Sequence, residues 1–566
     1  MQAQGLRASG RDQSAPYLPI PNIDVTDALV DTLGLRHIGV VRAEHVVSPD
    51  GMRGCRTMGV AMTRKPLLSK SKFVSGVQCL KRLYWQVYRP DLAAESADQM
   101  QAVMDQGREV GVEARKAFPG GVLAEADYQH TRVALQETAR LMANPQVPAI
   151  YEAALEHDGV LVRVDILERQ PRNRWRLVEV KSSTRVKDYH RYDVAIQRHV
   201  ANGAGLKIAS ACLMHLNREY IYDGRRYEPD KLFVLEDLMA ETNSITGEVV
   251  ALLAEQRRAL QEDEPPRVEA GGQCTDPVTC EFFDQCHGPV PTGHISELPR
   301  LTQRKLEALQ ALGVDMIRDI PESFELTPIQ RRVFGCARSG RPWFGPELRD
   351  ALSTIRYPLH FMDFETFYPA LPRYKGMWPY SHIPFQWSVH VREKPGAKVR
   401  HHEFLAEDET DPRFRFLGTL LEVLGTTGSI VVYNRQFEAE RLKDLARWLP
   451  EHAKQIASAQ ARLWDLLPVV RDNVYHPEFR GSFSIKSTLP ALVPQMTYEG
   501  MEVAEGAEAG IAWETLVRGQ LSPSEKTRLR AALLAYCGQD TEAMVKVCDT
   551  LERAASREDK TLGARG

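Results

Sequence analysis

Hydrophobic and polar positions alternate with a period of two in a few short stretches of the chain and recur at helical spacing between them. In "GVLVRVDILERQPRNRWRLVEVKSST" the alternation on both sides of "QPRNR" predicts two strands joined by a turn, with Asp165 on the first strand and Glu179 and Lys181 on one face of the second. Helical patterns flank this hairpin: "DQGREVGVEARKAF" precedes it, and "YDVAIQRHV", carrying Gln197, follows. A further strand pattern, "YPLHFMDFETF" over residues 357–367, places Asp363 and Glu365 on one face while Phe364 points to the other. Downstream, the apolar strand "SIVVY" leads into a helix in which Asn434 and Glu438 lie one turn apart. Near the C-terminus, "LLAYCGQDTEAM" predicts a helix with Tyr536 and Asp540 four apart on one face.

The spacing of these elements divides the chain. Residues 1–62 carry Gly, Ser, Pro and Arg without sustained periodicity and are expected to be disordered or an over-extended start, because "MTRKPLLSKSKFVSG" from Met62 reads like a beginning. Residues 63–290 are expected to form a first α/β unit, 291–350 a short helical connection, 351–555 a second α/β unit and 556–566 a tail. The expected fold class is therefore an α/β multidomain. Length agrees, since 566 residues exceed one hydrophobic core at roughly 150 residues per domain.

Composition narrows the function without naming it. With 43% apolar and 26% charged residues and a net charge of −3, the chain lacks the global basicity of a nucleic-acid coat, so any nucleic-acid contact must be local. No run approaches the roughly 18 apolar residues of a membrane span, and the N-terminus lacks the layout of a signal peptide. A cytoplasmic protein with no membrane partner is expected. The nine cysteines, at 55, 79, 212, 274, 280, 286, 336, 537 and 548, are then expected to be reduced thiols, and a clustered subset to bind metal.

Several groups of residues carry candidate chemistry. Asp165 and Glu179 on neighbouring strands can hold a divalent cation, and Lys181 beside them can stabilise or deprotonate an attacking water; an exposed Glu-Lys face on an edge strand is the plainer alternative. In "CTDPVTCEFFDQC" three cysteines stand at Cys274, Cys280 and Cys286, and Cys79 in "SKSKFVSGVQCLKRLYW" is the candidate fourth ligand of one cluster clipping both ends of the first unit; buried free cysteines are the alternative. Asp363, Glu365, Glu438 and Asp540 can surround a pair of cations about 4 Å apart, with Tyr536 orienting the attacking water and Asp465 as an alternative metal neighbour. A solvated strand face and a routine helical pair would account for those residues one by one. Ser482, Ser484 and Lys486 are candidates for phosphate contact or a structural turn. "LPRLTQRKLEALQALGVDMIRDIP" joins two short helices through "LGV", either a helix-hairpin-helix that holds phosphates or a packing linker. Trp85, Trp378 and Trp387, interleaved with basic residues, are either base-stacking platforms or core aromatics.

Together, "CLKRLYW", "VDIL…VEVK", the Gln197 helix and "CTDPVTCEFFDQC" resemble the RecB-type PD-(D/E)XK nucleases with an iron–sulfur staple, as in the CRISPR-associated four-cysteine exonucleases, over about 75–290. The resemblance implies Asp165, Glu179 and Lys181 as a catalytic triad, Gln197 as its helical helper, and Cys79, Cys274, Cys280 and Cys286 as ligands of a [4Fe-4S] cluster. The histidine that such proteins often carry near "GREVG" is absent, leaving Glu109 or Glu113 as substitutes, and Ala201 stands where a tyrosine is common. The second unit resembles the DEDD exonucleases of the RNase H-like fold, in the subclass marked YxxxD, which implies Asp363, Glu365, Glu438 and Asp540 as metal ligands with Mg²⁺ or Mn²⁺ and Tyr536 as the subclass mark. Glu438 replaces the usual second aspartate. "FETFYPALPRYKGMWPYSHIPFQWSVHV", "GSFSIKSTLPAL" and "YCGQDT" further resemble an uncharacterised bacterial family, domain of unknown function 2779, over about 68–555. The resemblances imply a nuclease with two sites acting on DNA ahead of RNA, in single strands and from an end, in repair, recombination or phage defence. The alternatives are a nucleic-acid-binding clamp with one inactive nuclease fold and an RNA-processing 3′–5′ exonuclease.

Overall fold

A computed structural model describes residues 67–94, 98–126 and 130–562; the expectations for residues 1–62 and for the end of the tail lie outside the described residues. The described residues fall within one compact unit. It contains two mixed sheets with helices packed on them, an α/β architecture, and among the described residues no helix is long and apolar enough to cross a membrane.

The first sheet has seven strands: β1 (Leu68–Ser69), β2 (Val122–Leu123), β3 (Ala149–His157), β4 (Val160–Gln170), β5 (Arg174–Lys181), β6 (Ile208–Leu216) and β7 (Phe233–Asp237). They lie in the order β2-β3-β4-β5-β6-β7, with β1 pairing beside the start of β4. The hairpin expected from "QPRNR" is β4–β5, paired antiparallel from Ile166↔Val178 to Gln170↔Arg174. Val160, Val162, Val164 and Ile166 are buried on alternate positions of β4, which leaves Asp165 half-buried on the other face.

The second sheet has five strands, β9 (Leu359–Phe367), β10 (Ile383–Arg392), β11 (Arg400–Leu405), β12 (Ser429–Val432) and β13 (Leu463–Asp465), in the order β11-β10-β9-β12-β13. A small ribbon of β8 (Trp343–Phe344) and β14 (Val474–Tyr475) stands apart. Strand β9 is central and buried on both faces, which explains why its sequence is an apolar run rather than an alternation. Met362 and Phe364 join one core with Trp387, Val389 and Phe416, while Leu359, Phe361 and Phe367 join another with Trp513 and residues of the long Pro523–Leu562 helix. Asp363 and Glu365 share the second of these faces and so point under that helix.

The 291–350 segment packs into the same core as the second sheet, through Ile295, Leu298, Leu309, Ile317, Val333 and Phe334. The helix Gln303–Ala311 is as expected, but "LGV" leads to a 3-10 turn at Ile317–Asp319, and the next α-helix is Pro328–Ser339. The amides there are already used: Gly313 N–H donates to Gln310, Val314 to Leu309 and Ile317 to Gly293.

The segment between β9 and β10 is embedded against the first sheet. Ala370 and Leu371 join a core with Ile166, Val178, Cys212 and Met214. Tyr222 and Gly376–Met377 exchange backbone hydrogen bonds of 2.8 Å, and the Tyr380 hydroxyl donates to the carbonyl of Ser182, at 2.6 Å, one residue after Lys181.

Phe416 has no exposed surface and packs edge-on to Phe364, 5.2 Å between ring centroids. Phe416→Ala is expected to lower stability by about 3–5 kcal/mol, the usual cost of a buried phenyl replaced by a cavity, read by chemical denaturation followed by circular dichroism; an unchanged midpoint would mean that this core layer is not closed as described.

Candidate functional site

Asp165, Glu179, Lys181 and Gln197 come together in the first sheet. Asp165 accepts the Val180 N–H at 2.6 Å, across the hairpin. Glu179 is 1% exposed and receives Lys181 Nζ at 2.7 Å on Oε1 and Gln197 Nε2 at 2.7 Å on Oε2. Gln197 is placed by the helix Asp188–Gly203. Two residues that the pattern did not single out complete the group. Lys70 Nζ lies 2.8 Å from both Glu179 oxygens, and Asp193, one turn before Gln197, pairs with Lys181. Burial pushes Asp165 up to about 8, with the Glu179 charge adding to it. Burial also acts to raise Glu179, but Lys181 and Lys70 outweigh it and hold this carboxyl well below its ordinary range.

Glu109 and Glu113 do not enter this group. They line a separate cleft with Tyr227, Arg373 and Glu409, because the helix Asp98–Arg115 turns that face toward the other half of the molecule. The additional acid whose charge reaches Asp165 is Glu152 on β3, which holds a positive φ of 56° and pairs with Arg115 at 2.9 Å.

All four expected cysteines are free thiols in one region. Cys79 separates the helices Lys70–Gln78 and Leu80–Tyr88, and Gln78 Nε2 donates to the carbonyls of Gln273 and Val278 at 2.7 Å, tying those helices to the cysteine loop. Within the loop, the Cys280 N–H donates to the Cys274 carbonyl at 2.8 Å. Burial, with a further contribution from Cys79, pushes Cys280 up to about 11; Cys286 is raised by burial, opposed by Lys81 and reinforced by Cys274 and Cys79. The four side chains thus feel one another. Among the described residues, however, the one set of three or more ligand atoms lying within 4.8 Å of each other is that of Asp363, Glu365 and Cys537. Trp85 packs on Phe282 in this region, with ring centroids 5.4 Å apart.

The acids of the second sheet meet under the long helix. Asp363 and Glu365 on β9, Glu438 on the helix Arg435–Trp448, and Tyr536 and Asp540 on Pro523–Leu562 form one group, in which Glu365, Glu438 and Asp540 are 5%, 2% and 8% exposed. A bulge between Pro384 and Gln386 lies opposite Glu365. Glu438 Oε2 is buried without a hydrogen-bond partner. The acids are short of positive charge: Lys486, whose Nζ donates to the Ala504 carbonyl at 2.6 Å and stands 5.5 Å over the Tyr536 ring, is the cation whose field reaches Asp363, Glu365 and Asp540. Burial, then the neighbouring acids, push Asp363 and Glu365 well above the carboxylate range, and burial followed by Asp363 does the same for Glu438. Burial brings Asp540 up to about 6, held there against hydrogen bonds from Tyr498 and Tyr536 and the Lys486 charge. Such a set, with an orphaned acceptor and too few cations, fits divalent metal.

Residues 360–484 match the family model of domain of unknown function 2779. No curated protein matches the chain. The matched span holds Asp363, Glu365 and Glu438; Lys486, Tyr536, Asp540 and the whole Lys70–Gln197 cluster lie beyond it.

One expectation around the domain of unknown function 2779 segment changes in the structure. Asn434 is exposed, in a left-handed conformation with φ 81°, just before the Glu438 helix rather than within it. Asp465 accepts the N–H groups of Asn434 and Arg435 at 3.0 Å each and caps the helix Leu466–Asn473, so it holds the turn that aims Glu438. Ser484 caps the helix Ile485–Leu492. Trp387 is core, with its indole N–H on the Phe416 carbonyl at 3.1 Å; Trp378 is half-buried against Trp448. Tyr498, whose hydroxyl donates to Asp540 at 2.5 Å, and Cys537 carried no sequence signal.

Because the folded chain holds the Asp540 proton up to about 6, against an ordinary 3.8, folding binds protons in that interval. Metal-free stability from this group is therefore greatest below 3.8 and is lost as pH rises through about 6. Thermal melts in chelator should fall over that interval, and Asp540→Asn should flatten the fall; equal slopes for both chains would contradict it.

Proposed function

We propose that this protein is a metal-dependent nuclease that hydrolyses phosphodiester bonds of single-stranded DNA from an end, with its principal site in the domain of unknown function 2779 half. The observation that carries the reading is the meeting of Asp363, Glu365, Glu438 and Asp540 in one group with Tyr536, where Lys486 offsets the charge of Asp363, Glu365 and Asp540, Arg441 that of Glu438, and burial still holds all four acids above their ordinary range. Strand β9 and the two helices supply the frame of an RNase H-like exonuclease site. Mg²⁺ or Mn²⁺ held by these carboxylates would neutralise them, activate water and polarise the scissile phosphate. Tyr536, whose phenol burial and the neighbouring acids keep protonated, donates its O–H to Asp540, and its oxygen can accept a hydrogen bond from a nucleophilic water and so orient it. Lys486 stands at the site with an ammonium that can meet a substrate phosphate.

In the first half, the β4–β5 hairpin with Asp165, Glu179, Lys181 and Gln197 supports a PD-(D/E)XK reading. The four thiols, with Lys81 and Arg82 beside them, support a [4Fe-4S] cluster that ties the start of this half to its end. A second reading, in which this half grips nucleic acid without cutting it, is favoured by the contacts of Glu179, whose oxygens are held by two lysines and Gln197.

Anaerobically purified protein with end-labelled single-stranded DNA and Mn²⁺ tests both readings. Asp363→Ala is expected to lower the cleavage rate by at least about a hundredfold, and Lys181→Ala to remove a distinct set of products if the first half also cuts. Binding without cleavage under every metal tried would refute the DNA nuclease reading; faster cleavage of matched RNA would reassign the substrate. Iron and sulfide analysis should show loss of both in Cys280→Ser, and an iron-free but stable wild-type protein would remove the cluster.

A further inference from the structure

We propose that Lys70 is a tethered cation that occupies the metal position of the first-half acid cluster, so that a divalent ion enters only by displacing its ammonium. The inference rests on the reading of that cluster as a metal site. An ionised carboxylate offers about four lone-pair positions. Glu179 has all of them engaged: Lys70 Nζ at 2.8 Å on Oε1 and 2.8 Å on Oε2, Lys181 Nζ at 2.7 Å on Oε1, and Gln197 Nε2 at 2.7 Å on Oε2. A metal ion cannot join without one donor leaving.

Of the three donors, Lys70 is the one placed to leave. Gln197 is fully buried on its helix and also contacts Asp193 Oδ1 at 3.2 Å. Lys181 bridges Glu179 and Asp193 by short contacts. The two lysine side chains reach the surface equally, at 22% for Lys70 and 24% for Lys181, but Lys70 meets Asp193 at only 3.7 Å and so has one close carboxylate to give up where Lys181 has two. It is the first residue of the helix Lys70–Gln78, whose start is fixed by Ser69 accepting the Lys72 N–H at 3.2 Å. Its side chain can therefore swing outward while the backbone stays.

Its position is also that of an ion. It straddles both oxygens of Glu179 while its charge reaches Asp165 and Asp193, the carboxylates that a divalent cation would share. The lysine of the other acid group behaves differently. Lys486 gives its hydrogen bond to the Ala504 carbonyl rather than to a carboxylate, and Glu438 Oε2 in the same group has no partner. The two acid groups thus differ in whether a lysine already fills the metal position.

The test uses the full chain with Asp363→Asn and Asp540→Asn, which disable the second-half site, and Mn²⁺ alone as the probe in calorimetric titration. With Lys70→Gln added, Mn²⁺ is expected to bind at least tenfold tighter, and Glu179→Gln is expected to abolish that binding. Amine-reactive footprinting read by mass spectrometry gives an independent measure on the unaltered chain: Mn²⁺ should increase labelling of Lys70, and should not in Glu179→Gln. Glu179-dependent Mn²⁺ binding that is unchanged or weakened by Lys70→Gln, or Lys70 labelling that ignores Mn²⁺, would overturn the inference while leaving the metal site standing. No Glu179-dependent binding in any chain would remove the metal reading of this cluster, and the inference with it.

Discussion

Carboxylates taken out of water without enough positive charge set the terms for the rest of this molecule. An ion buried in a protein loses several kcal/mol of hydration, and the chain answers this in two ways. In the first sheet Glu179 is surrounded by lysines and an amide, and its charge is kept. In the second, Asp363, Glu365 and Glu438 are packed with little compensation, and burial drives them toward the protonated form. Neither arrangement is what core packing alone would select. The apolar surroundings of β9 would be as well filled by leucine or phenylalanine, which makes the acids a burden on the metal-free fold.

The scaffold around each group is built to resist relaxation. Strand β9 is closed on both faces, so Glu365 cannot turn to solvent without dismantling a core layer. The Glu438 helix begins at a left-handed residue whose amide is held by Asp465, a carboxylate spent on aiming another one. Tyr498 and Tyr536 converge on Asp540 from a loop and from its own helix. Opposite Glu365 the bulge in β10 breaks the register locally, as bulges beside functional sites commonly do.

Much of this was legible in the chain because it depends on period. The β4–β5 hairpin, the shared face of Asp363 and Glu365, and the four-residue step from Tyr536 to Asp540 are properties of local backbone geometry. Asp193 was within reach of the same logic, one helical turn before Gln197. What escaped depends on long-range closure. Lys70 meets Glu179 across 109 residues of sequence, and nothing in "LSKSKF" distinguishes it from its neighbour Lys72. Glu109 and Glu113 had suitable chemistry on a helix of the expected kind, but the direction that face takes is decided by packing against the other half. Asn434 fits a helical spacing on paper, yet the turn that connects β12 to its helix takes that position out of the α conformation.

The strand that carries Asp363 and Glu365 runs directly into residues that complete the core of the other sheet. Ala370 and Leu371 fill it, Met377 and Gly376 pair with Tyr222, and Tyr380 reaches the carbonyl next to Lys181. Severing the chain between the two sheets would strip the first of part of its interior and leave the second with an apolar strand end in water. Each sheet therefore keeps its interior dry only while the other stays attached to it.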